Sequence, residues 1–175
     1  MGSWETETFR KWWAVKLGIR QEHYTNAAMQ AGTAYEHRIL DALGVKSRDR
    51  QVRIHALRLR VNYDGDDACT ITEVKTHSAA KFKVSRAYWM QCQVEMLASG
   101  WGLRQRKACR IAAYRIGEAE KQNFFLPVDP GRITIWPVAY DEAWVETQYL
   151  PRLRYLAGCL KTGRWPRKEE VACSR

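Results

Sequence analysis

Asp64, Glu73, Lys75 and Gln91 are the residues of this chain whose types and spacing could carry a reaction. If Cys69 to Thr76 is a strand, Glu73 and Lys75 share one face of it, because side chains two apart point the same way. Asp64 closes the preceding alternating segment, and an antiparallel hairpin between the two would bring its carboxylate alongside Glu73. Converging carboxylates repel and are best held together by a divalent cation, and hard oxygen ligands favour Mg2+ or Mn2+ over Zn2+. Such an ion lowers the pKa of a bound water and neutralises charge on a phosphate under attack. Lys75 would reach the same water or the scissile phosphate, and the Val74 carbonyl is available as a further ligand. Asp66 and Asp67 read instead as solvent-exposed residues of an Asp64-Gly65-Asp66-Asp67 turn.

Three elements must position these groups. From about Gln51 to Tyr63 the chain alternates, with Val52, Ile54 and Ala56 in one parity and Leu57, Leu59 and Val61 in the other. The phase therefore slips near Ala56-Leu57, as at a bulge or tight connection. A helix from about Ser85 to Ser99 has Ala87, Met90, Val94 and Leu97 on its buried stripe and Tyr88, Gln91 and Glu95 on the adjoining one. The Gln91 amide could hold a water or a phosphate oxygen there, although a lone helical glutamine is ordinarily a surface residue. An earlier helix, capped by Asn26, runs to about Leu43 and ends at Gly44. Its apolar stripe of Gly32, Ile39, Leu40 and Leu43 includes Glu36, and an inward carboxylate needs a cation or hydrogen bonds to offset its desolvation. An arginine partner at the edge of the stripe and a metal ion both meet that need. Gly32 on the same face leaves room for a close neighbour.

The chain has 175 residues, 46% of them hydrophobic, which suits one domain, with residues 1–25 as a helical extension and 161–175 as a basic tail. A formal net charge of +10 favours a polyanionic partner such as nucleic acid. Lys81, Lys83, Arg86 and Tyr88 beside the motif, and Arg104 and Arg106 in a later basic connection, are the candidate DNA contacts; a solvated loop is the equal alternative for the last two. The five cysteines are scattered without a C-x-x-C pair, which argues against zinc and disulfide frameworks and for a reducing cytoplasm. No apolar run approaches the roughly 18 residues of a membrane span, so no membrane partner is expected. Phe9, Trp12, Trp13 and Leu17 at helical spacing suit a core or subunit interface better than a base-stacking platform. Further on, the pattern predicts a strand at Cys109 to Ile116, a polar loop at Glu118 to Asn123, a short strand at Phe124 to Val128 and a strand at Arg132 to Tyr140. A last helix follows Asp141, kinked or split by Pro151.

Gly32-Thr-Ala-Tyr-Glu36, Asp64-Gly65, Glu73-Val-Lys75 and Tyr88-Trp-Met-Gln91-Cys-Gln93, in this order, resemble the motifs of the PD-(D/E)XK nucleases, and specifically of the phage lambda exonuclease or YqaJ-type viral recombinase family. The E-x-K pair alone is a weak signal; four motifs in order make a strong one. Tyr63 stands where the family name expects a proline. The resemblance implies an α/β restriction-endonuclease-like core, a central mixed β-sheet flanked by α-helices. It implies Mg2+-dependent (Mn2+ substituting) hydrolysis of phosphodiesters at duplex DNA ends, 5′ to 3′, in phage or prophage recombination within a bacterial host cytoplasm. Glu36, Asp64, Glu73 and the Val74 carbonyl would bind one or two ions, Lys75 would orient or activate water, and Gln91 would support the site. Relatives of this kind form homo-oligomers and work with a single-strand annealing protein. The alternatives are an endonuclease of the same fold and a catalytically degenerate DNA-binding module.

Overall fold

The alternating segments of the sequence become the strands of one sheet. In the computed structural model of the chain, which describes residues 4–20, 27–123 and 125–167 (27–31 as backbone alone), the residues divide into two compact units. Thr25–Ile54 and Leu59–Asp141 form the sheet unit, and Met1–Tyr24, His55–Arg58 and Glu142–Arg175 form the helical one.

The strands β1 (Ser47–Ile54), β2 (Leu59–Asp66), β3 (Thr70–His77), β4 (Ala108–Arg115) and β5 (Ile133–Val138) lie side by side in chain order. All neighbours are antiparallel except β3 and β4, which are parallel. A parallel pair needs a crossover, and α3 (Arg86–Gly100) supplies it, begun by Ser85, whose hydroxyl accepts the Tyr88 N–H at 3.2 Å. Helix α2 (Ala27–Ala42) packs on the other face, where Tyr35, Ile39 and Leu40 form a core with Val45, Val74, Ala112, Tyr114 and Ile116. This is the α/β mixed sheet flanked by helices that the sequence leads one to expect. By alternation Glu73, Lys75 and His77 of β3 face the α3 side.

Several local expectations are corrected. The phase slip near Ala56-Leu57 is, of the two expected alternatives, the tight connection and not the bulge: β1 and β2 are joined by a 3-10 turn, His55–Leu57, with Arg58 at φ +47°. β2 continues through Asp66, so the turn into β3 is shorter than predicted; Asp67 organises it by accepting the Cys69 and Thr70 N–H groups at 2.8 Å each. Asp66 is not solvated. It is buried and bonded to Ser47 Oγ (2.7 Å), Arg50 Nη1 (2.9 Å) and Lys107 Nζ (2.5 Å), which together overcome its desolvation and hold its carboxyl below the usual range. Residues 118–122 form a short helix, α4 (Glu118–Gln122), because Glu120 turns inward to accept the Gly117 N–H and to pair with Arg132. Residues 125–128 are not a strand. Phe124 and Asn26 lie outside the described residues.

On α2 the centre of the buried face is Tyr35, not Glu36: the larger apolar group takes the interior and leaves Glu36 half-buried at the edge. A Cβ on Gly32 would meet only Thr76 Oγ1, at 3.9 Å, so no close approach requires that glycine. Gly65 is the crowded one. A Cβ there would lie 2.6 Å from Leu40 Cδ2 and 2.9 Å from Val45 Cγ1, both in the packed core. Gly65→Ala should therefore destabilise the fold by ~1–3 kcal/mol through overpacking, read as a lower urea midpoint; an unchanged midpoint would mean that Leu40 and Val45 repack freely.

In the helical unit, α1 (Glu7–Lys16) starts at Thr6, whose hydroxyl accepts the Phe9 N–H. Its aromatic stripe is core at Trp13, which is buried with Trp4, while Trp12 is exposed; Trp165 meets Phe9 and Trp13 edge-on at 5.6 and 6.1 Å. The basic tail thus begins as folded chain, with Pro166 buried as well; residues 168–175 lie outside the described residues. Pro151 does not split the last helix. α5 (Glu142–Trp144) widens into a π turn at Val145–Tyr149 just before it, and α6 (Leu150–Thr162) carries on. A proline lacks an N–H and crowds the preceding turn, and a widened turn accommodates both. Among the described residues no helix is long and apolar enough to cross a membrane.

Candidate active site

The site begins where two strands part. The ladder between β2 and β3 covers only Gly65↔Thr72 and Asp66↔Ile71, after which β2 stays with β1 and leaves β3. Side-chain alternation breaks at the same place. Tyr63 points towards α3, its hydroxyl donating to the Glu95 carbonyl at 3.2 Å, whereas Gly65, two residues on, faces Leu40 and Val45 on the α2 side. The inversion falls at Asp64, opposite Asp49, which takes φ +53°. Asp64 consequently fills the gap between the strands, and its Oδ2 accepts the Val74 N–H at 2.8 Å that a continuous ladder would have used. In a strand a residue's N–H and C=O point to the same side, so the Val74 carbonyl opens onto this gap too.

Glu73 is the centre of the arrangement and is 1% exposed. Its Oε1 receives the Lys75 ammonium and, at 2.6 Å, the Gln91 amide from α3. Its carboxylate also takes a side-chain hydrogen bond from the Glu95 carboxyl on α3. Lys75 also lies 5.1 Å from the centre of the Tyr88 ring. Burial would lower the Lys75 pKa, but the charge of Glu73 and their hydrogen bond outweigh it and hold the ammonium above its ordinary range.

Around Glu73 the acids crowd one another. Asp64 is pushed up to about 8, first by burial and then by the charge of Glu73, against the relief of the Val74 N–H. Glu36 is raised by burial, then by Asp49, with Glu73 contributing more weakly. Glu95, one helical turn after Gln91, is fully buried and raised to about 10 by burial and by Glu73, so at neutral pH it is a neutral acid packed against Cys109 Sγ at 3.7 Å. The donor set is therefore all-oxygen, and its acids crowd one another so closely that burial and mutual charge keep protons on Asp64 and Glu95. These are the properties that a hard divalent cation satisfies.

The structure brings Asp64, Glu73, Lys75, Gln91 and Tyr88 together and sets Glu36 within their electrostatic reach. Glu36 also belongs to a second group, for its carboxylate lies within 4.8 Å of ligand atoms of His37 and Asp49, themselves bonded at 2.9 Å. Lys81 and Lys83 are exposed in the loop between β3 and α3, and Arg86 lies 3.8 Å over the Trp89 ring at the start of α3. Arg104 and Arg106 are elsewhere. They follow the far end of α3, beside the Thr70↔Ala108 end of the sheet, with Arg106 stacked 3.6 Å over Tyr140. Glu95 was not singled out from the sequence, although its i, i+4 spacing from Gln91 was the available signal. The sheet-facing side of α3 differs correspondingly from the predicted stripe: Ala87 is exposed, while Cys92, Gln93 and Glu95 are buried. Gln93 is spent on structure, donating to the Ala139 carbonyl and accepting the Asp141 N–H.

A five-stranded mixed sheet with helices on its faces and acids at a parting of strands defines the class, an α/β protein built on one mixed sheet. Among solved structures the chain is similar to a protein of Eubacterium rectale described as "Putative exonuclease", with a TM-score of 0.55 and 13% identity over 91% of this chain and 77% of that one. At that identity the likeness is one of fold. No family model matches the chain. No curated protein matches it either.

Proposed function

We propose that the chain is a metal-dependent deoxyribonuclease that hydrolyses phosphodiesters at duplex DNA ends, with a 5′ to 3′ direction and a phage or prophage recombination setting suggested by its motif order. The observation that carries this reading is Glu73: a buried carboxylate that gathers Lys75, Gln91 and the Glu95 carboxyl, with Asp64 crowded against it and raised to about 8. A purely structural ion pair would have no use for further acids crowded against it. The net charge of +10 supplies the field that a polyanion requires.

Glu36, Asp64, Glu73 and the Val74 carbonyl would hold Mg2+, or Mn2+ in its place. Bound there, the ion supplies a water of lowered pKa and charge neutralisation on the phosphate. Gln91 fixes the Glu73 carboxylate, removing its rotational freedom before substrate arrives. Lys75, kept protonated, presents an N–H donor to the attacking water or a non-bridging phosphate oxygen as charge develops.

Purified protein with Mg2+ should degrade linear duplex and leave covalently closed circles intact, and chelation should stop the reaction. Cutting of closed circles would make it an endonuclease of the same fold. Intact linear DNA, with binding retained, would leave only a degenerate DNA-binding module.

A further inference from the structure

A groove of about 620 Å³ opens beyond Lys75 on the same face of the sheet. Its floor follows from register. His77 is the next position of β3 on the side of Glu73 and Lys75, ~6.6 Å further along the strand. Arg115 pairs with His77, and Trp136 pairs with Ile111, the partner of Glu73, so both share that face. The loop after β3 adds Lys81 and Phe82 as a wall, and Arg132 closes the rim.

The lining contains Lys81, Arg115, Arg132 and His77 and no carboxylate. Arg132 is committed to Glu120, its Nη2 2.6 Å from Oε1, so Lys81 and Arg115 carry the field into the groove. The other component is aromatic. Phe82 lies parallel to Tyr88, with 5° between planes and centroids 6.1 Å apart, and is 6.0 Å from Trp136. Trp136 is 39% exposed although it sits in a strand. Tyr88 in turn lies under Lys75, so a continuous run of rings leads from the groove to the proposed reaction centre.

Cations interleaved with open aromatic faces suit a ligand that carries both regular negative charge and free π faces. In a duplex the π faces are occupied by neighbouring bases; in an unpaired strand they are available. We propose that this groove binds the unpaired strand of a DNA end, stacking bases on Trp136 and Phe82 and holding phosphates with Lys81 and Arg115, and that it delivers that strand to Glu73 and Lys75. The delivery step rests on the nuclease reading; the binding site does not.

Fluorescence anisotropy with a labelled oligo-dT in EDTA, beside a blunt duplex of the same length, separates the two. Trp136→Ala should weaken oligo-dT binding about tenfold, the scale of one lost base stack. Lys81→Glu, a change at an exposed position that carries no folding risk, should weaken it comparably and flatten its salt dependence. Trp136→Ala should bind the blunt duplex within about twofold of the parent, because the duplex offers no free base to stack. Unaltered oligo-dT binding by both variants overturns the groove. So does a parent protein that degrades linear duplex with Mg2+ yet does not bind oligo-dT, a result that leaves the nuclease reading intact. Binding of oligo-dT that depends on Trp136, in a protein that cleaves nothing, supports the groove and removes the nuclease instead.

Discussion

Lys75→Ala is expected to lower DNA cleavage by ~10²–10⁴-fold, the range seen when a positioned proton donor or charge-stabilising group is lost. Binding should survive. One charge is removed from a chain that carries twenty-nine Lys and Arg, so the slope of affinity against salt should fall by only about one contact. The loss in rate follows from how fixed this ammonium is: it is bonded to Glu73, lies over Tyr88, and has a side chain only 19% exposed. No neighbouring lysine can substitute, because Lys81 and Lys83 are on the loop beyond the strand. The variant also strips Glu73 of its cation, and removing one member of a buried pair costs ~3–5 kcal/mol, so circular dichroism and a melting curve must accompany the assay. Lys75→Arg resolves the ambiguity, since it preserves the ion pair while moving the donor. A folded Lys75→Arg that is still slow places the defect in the geometry of the donor, and a fully active Lys75→Ala would remove Lys75 from the reaction altogether.

Periodicity revealed what depends on side chains alternating undisturbed, and failed where the backbone departs from it. The E-x-K pair on a strand is visible because Glu73, Val74 and Lys75 obey the two-residue repeat of β3. The strand interruption at Ala56-Leu57 is visible too, as a change of parity, though a bulge and a hairpin tip leave the same mark. The inversion at Asp64 is not visible. It moves a single residue out of phase, between a tyrosine and a glycine whose hydrophobicity does not report which face they occupy, and it falls opposite Asp49, fifteen residues earlier, whose backbone takes φ +53°. Asp66 escaped for a related reason: its burial is made tolerable by Ser47, Arg50 and Lys107, which come from two other segments. In α3 the apolar pattern is weak because the helix is buried on more than one side, and its sheet-facing stripe is filled by Gln91 and Glu95 in the service of Glu73. Polarity at a buried position was thus the mark of the site, and hydrophobic periodicity reads such positions as surface.

Asp64→Asn should produce two opposite effects, a large fall in cleavage and a rise in the stability of the metal-free protein. Burial and the charge of Glu73 raise the Asp64 carboxyl to about 8, far above the value it takes in an unfolded chain. Between the ordinary carboxylate range and about pH 8 the folded protein therefore holds a proton that the unfolded chain has released. Stability must fall as pH rises through that window, and below it the penalty vanishes. Asparagine keeps the shape and can still accept the Val74 N–H, but has no charge to desolvate. The relief of an unsatisfied buried polar group is ~1–3 kcal/mol, and in a chain of this length each kcal/mol moves the melting temperature by ~2–4 °C. At pH 8 without divalent ions, Asp64→Asn should accordingly melt ~2–12 °C above the parent, with the difference shrinking towards pH 5. Mg2+ or Mn2+ should reverse the order by stabilising the parent most at the upper end of the window, where the cation takes the place of the proton, and the variant hardly at all. A variant that melts below the parent at pH 8 in EDTA would show that Asp64 is a satisfied structural acid, and the case for a cation between β2 and β3 would go with it. The measurement reaches the metal hypothesis without any DNA present, because the crowding of Asp64 against Glu73 is itself what the ion would relieve.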